Sequence, residues 1–517
     1  MTEASFPPRI DRQLIDRLRD QLPKSVETHC AVAPFCGNEL PWVPQSDSAA
    51  IDGAAEAGRI AQRDWGSRPI RERERIVLRF ARLVLDYHDQ LCDLMQWETG
   101  KARIHAAIEV LGVVSVAQHY GTNSRRYLAT RKVPGMGGPV RAAVGYRAQG
   151  LVGVIAPWNY PLFLAVGDVI PALIAGNAVL SKADSQTPWT LLLARSLAVQ
   201  AGIPGPIWQV VAGAGSRIGP DIVGAVDYVC FTGSTETGRA VAGQCAARLI
   251  GASLELGGKN PMIVCADADI DAAVTGTVQA CFSSAGQMCI GIERIYVHDS
   301  VYQRFLDALV AAVGRLRLGA GYDFAVDMGS LTSPRQLAVT TDHVGDAIGK
   351  GARVRVGGRP RPDLGPLFFE PTVLTGVTPE MSVYGEETFG PVVSVYPVAS
   401  EDEAVRLANE GDYGLSASVW TRDMARGTMI GEQIVAGTVM VNDGYLSAIA
   451  SIHAPMGGMR RSGLGRRHGR EGILRYTEPQ TVTTQTRPTA YPDRMRGVAL
   501  AALRQAVRVR LRVAQRM

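Results

Sequence analysis

Four short clusters hold the side chains best suited to chemistry: PWNYP (157–161), FTGSTETG (231–238), ELGGKNP (255–261) and FSSAGQMC (282–289). Cys289 follows a Gly-Gln pair at the end of a predicted helix. A cysteine becomes a nucleophile when access and local charge carry it toward the thiolate from an intrinsic pKa of about 8.5. Alone in a sequence it reads as a buried small hydrophobe. Glu255 closes the strand-like run GASLEL, where a carboxylate entering a Gly-Gly turn is either a general base with a raised pKa or a solvated strand end. Asn159 follows Pro-Trp at a strand end, where ligand sites of parallel sheets gather. Its amide can donate to a developing oxyanion or cap a turn. FTGSTETG reads as strand, turn and helix, a geometry that aims backbone N–H groups at an anion. Arg239-Ala240 stands where a P-loop needs GK[ST], and the GxGxxG pattern is absent.

The surrounding elements must position these groups. From 48 to about 130 apolar residues recur at three- and four-residue steps, which predicts helices. From about 148, LVGVIAP, NAVLSKAD, PIWQVVAG, DYVCFTG and GASLELGG are short strand-like runs separated by helical segments. That alternation predicts a parallel sheet covered by helices. It restarts after 260 with PMIVC, a helix over 269–287, ERIYVHD and a helix over 301–315, giving a second α/β unit. Residues 161–180 are apolar enough to suggest a membrane span, but Asp168, Pro171 and Asn177 interrupt them; a buried helix and a buried strand are expected instead. Residues 128–147 and 476–490 read as extended ribbons outside both sheets, either pairing across subunits or forming a surface hairpin.

Composition narrows the class. A chain of 517 residues suggests two large domains or about three smaller ones. It is 46% hydrophobic and 20% charged, as in soluble globular proteins. Eight cysteines without a CxxC pair exclude a disulfide scaffold and give no metal-site spacing. The first residues lack the apolar core of a signal peptide, so the cytoplasm is the expected location. The net charge of +5 comes from residues 494–517, which hold seven arginines and no acid. The rest is close to neutral, which argues against nucleic acid as a partner.

Taken together and in order, the clusters resemble the aldehyde dehydrogenase superfamily from about residue 48 to 488. EETFGP (386–391) and PMGGMRRSGLGR (455–466) match its later signatures. The resemblance implies an α/β fold with a modified Rossmann-type cofactor domain (1–127 and 148–256) and an α/β catalytic domain (257–450). An oligomerisation arm and closing segment (128–147 and 451–490) and a basic tail (491–517) complete it. It implies that Cys289 attacks an aldehyde while the Asn159 side chain and the Cys289 backbone N–H hold the oxyanion. Hydride transfer to a nicotinamide then leaves a thioester, which Glu255 hydrolyses by activating water. Trp158, Lys182, Gly233, Ser234, Glu387 and Phe389 fall on family cofactor positions. Ser185 stands where NAD-preferring members carry a Glu that chelates the ribose hydroxyls. NADP is therefore the expected cofactor and NAD the alternative, with Asp184 able to favour NAD if it turns inward.

DMGSL, GPLFFEPTVLTGV and APMGGM…SGLGRRHG…YTE are most similar to NADP-type succinate-semialdehyde dehydrogenases, especially the second actinobacterial kind. The arginines that clamp the distal carboxylate in that activity correspond here to Gly167 and Ser283. A third contact corresponds to Ser451, and Arg460 and Arg461 are candidate replacement cations. The uncharged positions favour a medium-chain or aromatic aldehyde as the alternative substrate. A lipid-associated member without turnover is the alternative of a different class. Ser284 replaces the usual Asn before the cysteine, and Arg467 replaces a Glu of the closing signature. The resemblance further implies a homodimer or homotetramer. In the tail, Leu500, Leu503, Val507, Leu511 and Ala514 fall at helical spacing, and Arg504, Arg508, Arg512 and Arg516 recur every four residues with Arg510 between. Such a basic amphipathic helix suits reversible contact with anionic lipid, or packing on the protein's own surface.

Overall fold

The computed structural model describes residues 6–134, 140–485 and 495–515. Residues 1–5, parts of the expected arm (135–139 and 486–490) and parts of the tail (491–494 and 516–517, with Arg516) lie outside the described residues. The chain divides into one unit of residues 1–128 and 148–478 and another of 129–147 and 479–517.

In the larger unit the periodic segment after 48 folds as four helices, Ser48–Ser67, Ile70–Asp86, His88–Thr99 and Arg103–Tyr127. Asp47 caps the first by accepting from Ala50 N. The second buries Ile76, Val77, Phe80, Ala81 and Val84, the stripe its periodicity predicts.

A six-stranded sheet follows, in the order Gly463–Leu464, Gly251–Glu255, Tyr228–Thr232, Leu151–Ile155, Ala178–Ala183, Trp208–Ala212. Every neighbouring pair is parallel except the first. Leu151–Ile155, Ala178–Ala183 and Tyr228–Thr232 are buried along their whole length, which is why they read as unbroken apolar runs. The chain runs outward from Leu151–Ile155 to Trp208–Ala212, then returns to Tyr228–Thr232 on the opposite side. Such a reversal opens a crevice beyond the carboxyl ends of the two strands that flank it. Asn159 follows one of them, and Gly233 and Ser234 follow the other. Glu255 ends the adjacent strand.

The second sheet has seven strands, in the order Arg353–Val356, Thr372–Thr375, Val392–Val398, Ile292–His298, Asn260–Val264, Ser416–Trp420, Thr438–Val441. Only its first pair is antiparallel. Glu255 closes its strand only five residues before Asn260 opens the next, so the carboxyl edge of one sheet leads directly into the amino edge of the other.

The apolar stretch after 160 is a buried helix, Pro161–Ile174, and a buried strand, Ala178–Ala183. The helix expected over 269–287 stops at Phe282. Ser284, Ala285 and Gly286 then adopt φ values of 51°, 55° and 72°. Non-glycine residues rarely take this left-handed conformation, and they keep it only where surroundings fix it. Here Ser284 N donates to His105 Nδ1 at 3.2 Å, and its hydroxyl bonds Tyr160 at 3.1 Å. A Cβ on Gly286 would lie 2.0 Å from the Gly390 carbonyl oxygen, so glycine is required there.

Arg131–Pro134, Val140–Ala148 and Thr477–Gln485 form a three-stranded sheet, the first two antiparallel. Arg496–Ala514 is a helix of 19 residues, none of them buried.

Candidate active site

A cavity of about 390 Å³ is lined by Trp158, Asn159, Gly233, Ser234, Glu255, Cys289, Glu387 and Phe389, together with Ser333, Arg335 and Gln336. Eight of the residues singled out in the sequence therefore meet in one place, drawn from both sheets.

Asn159 is buried, and its side-chain amide donates to the Gln287 carbonyl at 3.0 Å. Its own carbonyl accepts from Lys101 Nζ at 2.7 Å, and Lys101 pairs with Glu109 at 2.8 Å. Glu109 in turn accepts from Leu162 N and Phe163 N at 2.7 and 2.9 Å, in the first turn of Pro161–Ile174. A fully buried ion pair thus fixes the turn that carries Asn159. Burial lowers the Lys101 ammonium pKa, and Glu109 opposes that shift.

Cys289 is partly exposed, in the turn after the left-handed residues. Asn260, first in its strand, clamps that turn by donating to the Cys289 and Gly291 carbonyls at 2.8 and 2.7 Å. Burial pushes the Cys289 thiol up to about 12; nearby Glu255 and Glu387 add to this, and Arg467 opposes it. The sulfur is a neutral thiol at neutral pH and needs a base to become a nucleophile. Glu255 is buried, and burial raises its carboxyl to about 7 against the pull of Arg467 and Arg475. A carboxylate titrating there suits general-base work at neutral pH.

The other side of the cavity is shaped for a larger ligand. Glu387 accepts from Gly258 N at 2.9 Å, and burial raises its carboxyl to about 8. A Cβ on Gly257 would lie 2.3 Å from Glu387 Oε2, so the Gly-Gly turn lets that carboxylate approach. Phe389 has φ 51° and meets Trp158 edge-on, with ring centroids 5.7 Å apart. Ser234 caps the helix Thr235–Ala247, whose first turn opens toward the crevice beyond Tyr228–Thr232. Lys182 and Ser185 lie at the carboxyl end of Ala178–Ala183, one strand over, and do not line the cavity. Lys182 Nζ is 3.6 Å from Asp184, whose carboxylate also accepts from Gln186 N at 3.0 Å. Ser185 donates to the Gly213 carbonyl at 3.3 Å.

The comparisons with known proteins agree with this geometry. Residues 22–482 match the Aldehyde dehydrogenase family. The chain belongs to that family. It is 51% identical over 451 residues to a protein of Mycolicibacterium smegmatis named "Putative succinate-semialdehyde dehydrogenase [NADP(+)]", covering 87% of each chain. It is 38% identical over 456 residues to the 3-sulfolactaldehyde dehydrogenase of Pseudomonas putida, covering 88% of this chain and 93% of that one. Among solved structures it superposes on an NADP-dependent enzyme of E. coli with a TM-score of 0.86 at 34% identity, covering 89% of this chain and 95% of that one. The protein is thus an aldehyde dehydrogenase-family enzyme, an oxidoreductase acting on an aldehyde with a nicotinamide cofactor.

In this family member the four expected substrate contacts do not converge on the cavity. Gly167, on Pro161–Ile174, has nothing within 4 Å of where a Cβ would stand. Ser283 is buried, and its hydroxyl donates to Tyr445 at 3.2 Å. It lines a separate cavity of about 280 Å³ with Ile104, Val278 and Tyr445. Ser451 is exposed at the end of Leu446–Ala450. Arg460 is exposed and spends its guanidinium on the Asn409 and Gly411 carbonyls at 2.7 and 3.0 Å, while Arg461 pairs with Asp412. Both guanidiniums are thus engaged by residues other than those that line the cavity. Sequence reasoning missed Lys101 and Glu109, whose signal was two charges eight positions apart around an apolar helix start. It also gave no role to Asn260, which stood inside a recognised cluster. Among the described residues no helix is long and apolar enough to cross a membrane.

Proposed function

We propose that the enzyme oxidises succinate semialdehyde to succinate with NADP through a covalent intermediate on Cys289. The observation that carries the proposal is the convergence of Cys289, Glu255 and Asn159 on one cavity. Glu255 takes the thiol proton, and the sulfur bonds to the aldehyde carbon. The oxyanion accepts from the Asn159 amide and the Cys289 backbone N–H. A bound nicotinamide cofactor supplies the hydride acceptor. Trp158, Gly233, Ser234, Glu387 and Phe389 would hold it in the cavity, with Lys182 and Ser185 at its adenosine end. Glu255 releases the thiol proton to solvent; water then attacks the thioester and gives its proton to the ionised Glu255. The carbon–sulfur bond breaks, the sulfur takes back a proton from the new carboxylic acid, and the carboxylate leaves.

Two observations support NADP. Ser185 brings no carboxylate against a 2′-phosphate, and the Mycolicibacterium relative carries NADP(+) in its name. The substrate class rests on the relatives, whose names specify aldehydes with a distal carboxylate or sulfonate. The open space at Gly167 and the Ser283–Tyr445 bond favour a second reading, a medium-chain or aromatic aldehyde. Comparing kcat/KM for succinate semialdehyde and hexanal, in wild type and Cys289→Ala, tests both. Preference for the semialdehyde, lost with the cysteine, supports the first; Cys289-dependent preference for hexanal supports the second.

We also read the chain as a cytoplasmic homodimer or homotetramer with the two-domain division given above. The two sheets, each with its own helices, support that division. The helix Arg496–Ala514 exposes Leu500, Leu503, Val507 and Leu511 beside Arg504, Arg508 and Arg512. That pattern supports peripheral, salt-sensitive contact with an anionic membrane surface.

A further inference from the structure

Behind Glu255 the fold buries charges that these steps do not use. Asp168, on Pro161–Ile174, pairs with Arg467 at 3.1 Å and with Arg475. All three side chains are less than a tenth exposed. The Cys230 thiol donates to Asp168 at 2.9 Å, and Arg467 also donates to the Thr232 hydroxyl at 3.1 Å. Burial works against the Asp168 charge, and the two guanidiniums overcome it, holding the carboxyl below its usual range. Arg467 Nε lies 3.8 Å from Glu255 Oε1, and both atoms are buried without a hydrogen-bond partner among the described residues. On the other side, a Cβ on Gly457 would come within 3.0 Å of the same Glu255 oxygen. The carboxylate is hemmed between a glycine loop and a guanidinium.

Charge balance gives this arrangement a consequence. Two guanidiniums and one carboxylate leave a buried net charge of +1. An ionised Glu255 neutralises it, whereas a protonated Glu255 leaves it uncompensated, and uncompensated buried charge is costly. We infer that Arg467, fixed by Asp168, is a positioning residue for Glu255 that keeps the base ionised and returns it to that state after each thioester hydrolysis. The inference rests on the reading of Glu255 as the base. In that step the water oxygen bonds to the acyl carbon, its proton passes to Glu255, the carbon–sulfur bond breaks, the sulfur takes the proton of the new acid, and the Glu255 proton then leaves for solvent. Proton loss restores neutrality in the buried group. The charged and titratable groups facing Glu255 are Arg466, Arg467, Arg475, Asp168 and Cys289.

The test is the pH dependence of kcat with NADP and succinate semialdehyde for wild type, Arg467→Met, Arg467→Lys, Asp168→Asn and Glu255→Gln. Arg467→Met should move the acidic limb up by about one pH unit or more and cut kcat at pH 7 by about fivefold or more. Arg467→Lys should return the limb toward wild type. Asp168→Asn should move it down, because it removes the anion competing with Glu255 for both guanidiniums. Opposite displacements in the two variants are not expected of a role in stability alone. If Arg467→Met does not fold, the Lys and Asn variants still carry the test. An unmoved limb in the folded Arg467 and Asp168 variants, with activity lost in Glu255→Gln, overturns the inference and leaves the base in place. Wild-type turnover by Glu255→Gln removes the base itself, and the inference with it.

Discussion

Replacing Ser185 by Glu should reverse the cofactor preference. Ser185 is half-buried at the carboxyl end of Ala178–Ala183, and its hydroxyl donates to the Gly213 carbonyl. Lys182 lies three residues earlier, with its ammonium already 3.6 Å from Asp184. Asp184 is held by that contact and by Gln186 N, so it is not free to take the place of a ribose-chelating Glu. A carboxylate about 5 Å from a 2′-phosphate, at an effective dielectric of about 20, is repelled by about 3 kcal/mol per unit charge. Partial exposure and salt reduce this to about 1–2 kcal/mol, a loss of roughly five- to thirtyfold with NADP. With NAD the same carboxylate gains hydrogen bonds to the ribose hydroxyls, about 1–2 kcal/mol. The NADP/NAD ratio of kcat/KM should therefore fall by about two orders of magnitude. Steady-state kinetics with both cofactors, on wild type, Ser185→Glu and Ser185→Ala, read it directly. The Ala variant should stay near wild type, because it brings no charge. A Glu variant whose ratio stays within about twofold of wild type would refute the placement of Ser185 beside the 2′ position.

Other outcomes follow from the same geometry. Asn159→Ala removes an oxyanion donor and should lower kcat by about 10²–10³ with little change in KM, seen in substrate-saturation curves; an unchanged kcat would contradict that role. Because burial lifts the Cys289 thiol to about 12, its alkylation by iodoacetamide should accelerate about tenfold per pH unit from pH 6 to 9 with no plateau, followed on the Cys289 peptide by mass spectrometry. A plateau below pH 8 would mean a thiolate already stabilised in the resting enzyme. Full-length protein should float with anionic vesicles at low salt and release at high salt, whereas a 1–493 truncation should stay in the soluble fraction; equal behaviour of the two would exclude the tail as a lipid contact.

Much of this was legible in the chain. The strands of the first sheet stood out because burial on both faces selects apolar runs, and the glycines after Phe231 and Leu256 marked where they end. Cys289, Glu255 and Asn159 could be named because their neighbours are constrained by backbone geometry as well as chemistry. The left-handed turn before Cys289 was not legible. Ser284 and Ala285 have no local preference for that conformation; contacts from His105 and Tyr160, more than a hundred residues away in sequence, impose it. Lys101 and Glu109 were hidden for a similar reason, since their backbone partners lie in the distant Asn159 turn and the first turn of the helix after it. Arg460 stood in the expected loop, and the fold engages its guanidinium with the Asn409 and Gly411 carbonyls, about fifty residues away in sequence. A sequence places a residue on a segment, and only the fold decides where its side chain ends.

The most direct measurement is peptide mass spectrometry of the wild-type enzyme quenched in acid during its first turnover with NADP and succinate semialdehyde, beside Cys289→Ala and Glu255→Gln. The account predicts a transient acyl adduct on Cys289 with a matching burst of NADPH in the wild type, and neither product from either variant at neutral pH. Turnover by Cys289→Ala, or an NADPH burst in the wild type with no adduct on Cys289, would contradict it.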